Sequence, residues 1–314
     1  MKFTSLRAAA AIVASALAGC SAPAGSAISP AAVAHLEAGR FGAGAHSVLY
    51  VAEDSTNAVY TFDPSNIAAG PTGKITSGIQ APTALAVDPS GDLYVGNLRN
   101  VTVYKSGGST PFKTLASKFG APRNIAIGAD DTVAIAFGGG VLKSGGLVIF
   151  DRGSATPTRI IPVALGTNTA MNFRGAAIDA TDNLFVSISR YSVGPSGIFE
   201  FAPNSTHGTP TGLSADIVGG FDSAGNLYNG DSGFICRYAP GSKACTHEIT
   251  NGVASYGYFT VAADGTIFVP QQTFDGQTTG GQLQMYAPGA LSPTATFTSS
   301  AFKMFQGAAL GFIP

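Results

Sequence analysis

The stretch from Val87 to Gly108, VDPSGDLYVGNLRNVTVYKSGG, alternates apolar and polar positions twice and breaks at glycine each time. Alternation with period two predicts half-buried strands, and the Asp, Pro, Ser, Asn and Gly clusters between them predict turns. Two such anchors recur along the chain. The first is an apolar, aromatic-rich strand after a turn: VLYV at Val48, DLYV at Asp92, DTVAIA at Asp131, NLFV at Asn183, NLYN at Asn226 and TIFV at Thr266, spaced 40 to 51 residues apart. The second is a strand that ends on an aromatic at a turn: VYTFDP, VTVYKSG, LVIFDRG, IFEFAPN, ICRYAPG and LQMYAPG. Each first anchor is followed by one second anchor.

A third element, short and built of small apolar residues, precedes five of the six first anchors: TALAVDPSGD, NIAIGADD, GAAIDATDN, VGGFDSAGN and FTVAADGT. The copy missing at the start reappears at the far end, where QGAALGFIP, Gln306–Pro314, has the same rhythm. A circular array explains this arrangement, with the last strand completing the first repeat and removing the exposed edges that an open sheet would carry. The prediction is an all-β, six-bladed β-propeller with the C-terminal strand closing the first blade. In blade 2 the inner strand is Thr83–Val87, the turn Asp88–Gly91, the next strands Leu93–Asn97 and Val101–Tyr104, and the fourth lies near Pro111–Leu115. Gly175, Gly219, Gly257 and Gly307 fit inner strands crowded at the axis. A five- or seven-bladed ring and a sandwich are the competing readings of the spacing.

The ends change the picture. MKFTSLRAAAAIVASALAGC carries Lys2 and Arg7, then an apolar run from Ala8 to Gly19 too short to span a bilayer, and so reads as an export signal over residues 1–19. LAGC at Leu17–Cys20 resembles the lipobox of bacterial lipoproteins, in which the cysteine is lipidated and becomes the N-terminus; the alternative is an ordinary cleaved signal. Ser21 follows where that family uses Asp for inner-membrane retention, so the resemblance implies a lipid-anchored (palmitate-bearing) protein of the bacterial cell envelope, at the outer membrane facing the periplasm or the cell surface. Residues 20–45, small and punctuated by Pro and Gly, read as a flexible tether, leaving 46–314 for the propeller. Cys236 and Cys245 then remain as a pair in an oxidising compartment, and a turn at Pro240–Ser242 brings them to cross-strand distance as a disulfide; two buried thiols are the alternative. Removing Lys2 and Arg7 from the 17 basic residues leaves 15 against 18 acidic ones, a formal charge of about −3, which offers no electrostatic reason to expect nucleic acid.

The D-x-x-G-x-L-Y-V pattern resembles NHL-type six-bladed propellers and, more loosely, the gluconolactonase-like group, over nearly the whole mature chain. Blades of this kind serve many functions, so the site must be argued from loops. Loops joining strands two and three of a blade share a face with those joining strand four to the next blade. On that face Arg123 and Arg174 occupy the same position of consecutive blades, each five residues before the turn. With Arg99 and Arg190, and with Asn97, Asn124 and Tyr258 nearby, they form a cationic rim suited to a carboxylate, sulfate or phosphate. The competing reading pairs each arginine with a neighbouring Asp or a loop carbonyl.

Catalysis has weaker support. The gluconolactonase-like resemblance implies a divalent metal such as Ca or Mg held by acid and amide groups at the axis. Asp54, Asp216 and Asp231 with Asn97 or Asn124 are the available set, and each also reads as an ordinary turn residue. Only Asp216 roughly matches the family's acid at the start of an inner strand. His35, His46, His207 and His247 all fall outside the mouth loops, which disfavours a histidine base. FGGGVLKSGG lacks a P-loop's ending and YSVGPSG lacks a nucleophile elbow's frame. The expectation is a binding module for an envelope protein, peptide or glycan, without a cofactor; the alternative is a metal-dependent hydrolase or lyase.

Overall fold

The structure, a computed structural model, describes residues 46–116, 120–138, 146–162, 171–190, 196–214, 217–231, 233–253, 257–274 and 279–313. The segments expected to be an export signal (1–19) and a tether (20–45), with Cys20, the expected lipidation position, lie outside the described residues. Blade 1 begins with β1 (His46–Glu53), β2 (Ala58–Phe62) and β3 (Pro71–Ile75). Blade 2 is β4 (Ala84–Val87), β5 (Leu93–Gly96), β6 (Asn100–Tyr104) and β7 (Pro111–Ala116), within a residue or so of the strands expected from the alternation. Blade 3 follows as β8 (Ala121–Ile127), β9 (Val133–Gly138), β10 (Gly146–Phe150) and β11 (Arg159–Pro162). Blade 4 comprises β12 (Met171–Ile178), β13 (Leu184–Arg190), β14 (Gly197–Phe201) and β15 (Thr209–Pro210). Blade 5 runs through β16 (Ile217–Phe221), β17 (Leu227–Asp231), β18 (Phe234–Tyr238) and β19 (Cys245–Ile249), and blade 6 through β20 (Thr260–Val261), β21 (Ile267–Phe274), β22 (Thr279–Tyr286) and β23 (Ala295–Ser299). The last strand, β24 (Phe305–Ile313), pairs antiparallel with β1 from His46↔Ile313 to Glu53↔Phe305 and becomes the innermost strand of blade 1. The result is six four-stranded antiparallel sheets, a six-bladed propeller closed by its C-terminus.

The recurring D-x-x-G explains itself at the turn between first and second strands. Asp88 Oδ1 accepts the backbone N–H of Ser90 and of Asp92, both at 2.9 Å, and Asp179 and Asp222 repeat the pattern with Thr181 and Asn183 and with Ala224 and Asn226. The fourth residue turns the chain with positive φ, which Gly91 (84°) adopts without a Cβ penalty. Blades 3 and 4 place Asp131 (65°) and Asp182 (61°) at that same left-handed position, which is why their repeats read as weaker copies in sequence.

Around the axis the blades meet backbone to backbone. A Cβ on Gly175 would lie 2.4 Å from the Val218 nitrogen of the next blade, one on Gly257 1.8 Å from the Gln306 carbonyl oxygen, and one on Gly307 2.6 Å from that of Thr83. Gly219 faces the Phe259 ring, at 1.9 Å from a built Cβ. All four glycines expected at the axis are therefore set there by close approach. Direct bonds complete the ring: Tyr258 N–H donates to the Gln306 carbonyl at 2.6 Å, and Thr83 Oγ1 donates to the Pro122 carbonyl at 3.0 Å. The apolar core is divided into six wedges, one between each pair of neighbouring blades.

Candidate functional site

The positions predicted for the rim arise from one backbone device. Pairing of β8 with β9 skips Arg123, and pairing of β12 with β13 skips Arg174, so each is the extra residue of a bulge in an innermost strand. A bulge re-aims the side chain it carries and recurs next to functional sites. The equivalence read from spacing is thus an equivalence of backbone geometry, and β24 repeats it with Gln306. Gln306 carried no charge to draw attention in the sequence; its signal was its place before the small apolar run.

Arg123 is exposed, as is Arg99 in the loop between β5 and β6. The end of β5, which leads into the Arg99 loop, lies against β8 beside Arg123, since a Cβ on Gly96 would come within 3.1 Å of the Pro122 Cβ. Neither arginine has a hydrogen bond or ion pair among the described residues, whose two ion pairs are Lys105–Asp92 and Arg152–Asp131 on the opposite face. The side chains of Arg174 and Arg190 lie outside the described residues.

The two asparagines are placed differently from the arginines. Asn97 is buried; its Oδ1 accepts from Gln80 N–H at 2.9 Å, and its Nδ2 is directed at Asn100 Oδ1, Thr102 Oγ1 and the Val95 carbonyl at 2.9 to 3.3 Å. It therefore pins the Arg99 loop to the chain before β4. Asn124 is also buried, and its Oδ1 accepts Ala176 N–H at 3.1 Å across the boundary between blades 3 and 4. Tyr258 is half-buried, its backbone bridging to Gly307.

Of the three aspartates in the alternative metal set, only the Asp54 side chain is described. Burial, then the neighbouring Glu53 charge, raises its pKa above the ordinary carboxylate value. Asp216 and the side chain of Asp231 fall outside the described residues. Among the described residues no three His, Cys, Asp or Glu side chains come together as a metal-binding group.

Glu53, beside Asp54, is fully buried and reaches the chain just before β24. Its Oε1 accepts Lys303 N–H at 3.0 Å, Met304 N–H at 3.1 Å and the Ser55 hydroxyl at 2.5 Å, and its Oε2 accepts Thr56 N–H at 2.6 Å. Burial alone would raise its pKa, but these bonds to Ser55, Thr56, Lys303 and Met304 together outweigh it and leave the group below the ordinary value. The predicted disulfide is formed: Cys236 and Cys245 join β18 to β19 with Cα atoms 5.7 Å apart, across a turn in which Ser242 N–H donates to the Ala239 carbonyl at 2.9 Å.

The chain matches no family model and no curated protein. Its likeness is to solved structures. One, a Bacteroides caccae protein of unknown function, is 12% identical with a TM-score of 0.63, covering 85% of this chain and 99% of that one. Another, a chain of a nidogen/laminin complex, is 13% identical with a TM-score of 0.65, covering 84% and 98%. At these identities the likeness shows the shared propeller architecture and no chemistry.

The face opposite the arginines holds a feature that the motifs did not announce. A cleft of about 510 Å³ opens between blades 4 and 5, bordered by the turn residues Asp179 and Gly225 and by Ala239–Lys243. Its one sequence signal is Glu200, a charge in IFEFAPN where VTVYKSG and LVIFDRG carry Val103 and Ile149.

Proposed function

We propose that the protein is a lipid-anchored, non-catalytic binding module of the bacterial cell envelope. It takes an anionic group, a carboxylate, sulfate or phosphate borne by a peptide, glycan fragment or partner protein, at the loop face around its axis. The observation that carries this reading is the exposure of Arg99, in the β5–β6 loop of blade 2, and of Arg123, at the bulge of β8 in blade 3, with no carboxylate partner among the described residues. A guanidinium left so is free to form bidentate bonds to an oxyanion. The resemblance to NHL-type propellers, and the lipobox-like Leu17–Cys20, support the rest.

The test is calorimetric titration of the purified mature protein with sulfated and carboxylated oligosaccharides, beside the Arg123→Ala/Arg174→Ala variant. A loss of at least about tenfold, or roughly 1.4 kcal/mol, in the variant is expected. Unchanged binding would remove the site. Elemental analysis decides between this reading and the hydrolase or lyase alternative: a stoichiometric divalent ion in the purified protein would replace the binding reading with that one. Palmitate labelling that disappears in Cys20→Ala checks the anchor.

A further inference from the structure

We infer that the cleft between blades 4 and 5 is a binding site for an organic cation with a flat apolar body. It lies on the face opposite the arginine rim and stands independently of the function proposed for that rim.

The repeat itself supplies the comparison. Each blade places the aromatic that ends its third strand in the wedge shared with the preceding blade. Phe62, Tyr104, Phe150, Phe201 and Tyr286 are buried there, but Tyr238, in the wedge between blades 4 and 5, is half-buried. The position of the first anchor occupied by the Tyr of DLYV behaves alike. Tyr50, Tyr94, Ala134, Tyr228 and Phe268 are buried, whereas Phe185 is half-buried and faces Phe221 edge-on at 5.0 Å between ring centroids. Two side-chain positions that are buried in each of the other wedges are here half-buried, beside a volume within the range of small-molecule pockets.

The wall also carries a carboxylate. Glu200 stands where Val103 and Ile149 fill the two preceding wedges, both completely buried. It is half-buried and has no hydrogen bond or ion pair among the described residues. Asp179 at the rim is already engaged, its Oδ1 and Oδ2 accepting from Thr181 and Asn183. Lys243 lies along Gly212, its Nζ 3.1 Å from where a Cβ would stand, and is not paired with Glu200. A carboxylate half-removed from water among aromatic rings is matched by a ligand cation, which gains the ion pair and the ring faces together. A neutral ligand would leave the carboxylate desolvated and unpaired, and an anion would add repulsion.

The experiment is titration of the ¹⁵N-labelled intact protein with phenethylammonium, phenylethanol and 3-phenylpropionate, followed by amide shifts and calorimetry. Phenethylammonium is expected to saturate, with shifts centred on Phe185, Phe221 and Tyr238, and to bind at least tenfold tighter than the other two. Glu200→Gln, with an unchanged melting temperature, should lose at least tenfold, while Arg123→Ala/Arg174→Ala should leave this binding intact. Absence of saturation, equal or tighter binding of the neutral or anionic probe, shifts centred elsewhere, or full affinity in Glu200→Gln would each overturn the assignment.

Discussion

Replacing Glu53 by Gln tests how the ring is locked. The substitution keeps the shape and one acceptor oxygen, but turns an N–H donor toward the Thr56 or the Lys303 and Met304 amides that the carboxylate now receives. Hydrogen bonds to a charged group contribute roughly 1.5 to 3 kcal/mol each, and one such bond is lost outright while the others lose their charge assistance, so the cost is about 2 kcal/mol. For a domain of this size that corresponds to a fall of about 4 to 8 °C in melting temperature. The sign with pH follows from the lowered pKa. Stabilisation by the ionised group is complete above the ordinary glutamate value, near 4.5, and is lost as pH falls through the depressed one. Urea unfolding of both proteins from pH 7 downward should show a gap that narrows as the medium becomes acid. A gap that is absent at pH 7, or that persists unchanged at pH 3, would refute the account.

Three further outcomes are expected. Removing Phe305–Pro314 strips the innermost strand from blade 1 along with Phe305, Ala308, Ala309 and Phe312, a loss comparable to the roughly 5 to 15 kcal/mol of a whole domain, so circular dichroism should show no cooperative transition. Gly257→Ala should cost more than about 3 kcal/mol in chemical denaturation, because the obstacle at 1.8 Å is backbone, whereas Gly241→Ala, with open space around it, should cost about 1 kcal/mol through its positive φ alone. Asp182→Gly should stabilise by about 1 kcal/mol, since it relieves a left-handed aspartate whose Oδ1 is buried without a partner; a lower melting temperature would count against this.

The architecture was legible because each repeat carries its turn chemistry on the surface of the sequence. Asp88 with Gly91 announces a side-chain-capped turn, and the unmatched small-residue run at Gln306 announces closure. The equivalent placement of Arg123 and Arg174 was also legible, as their common distance from the turn is a consequence of a bulge at one register position. Asn97 and Asn124 were not, because an amide looks the same in sequence whether it faces a ligand or, as here, is committed to neighbouring backbone and side-chain groups. Glu53 was not legible, because its partners Lys303 and Met304 lie some 250 positions away. The cleft was invisible for a related reason: its openness depends on how two blades pack, and only Glu200 marks it locally.

Ring closure by β24 has a geometric consequence. His46 pairs with Ile313, so the chain enters and leaves the disc at the same rim, at the end of the strands away from the Glu53 loop and the arginines. The aromatic cleft opens on this same face, and the arginine side on the other. A bulky partner and a small amphiphile would then approach from opposite directions without competing for space.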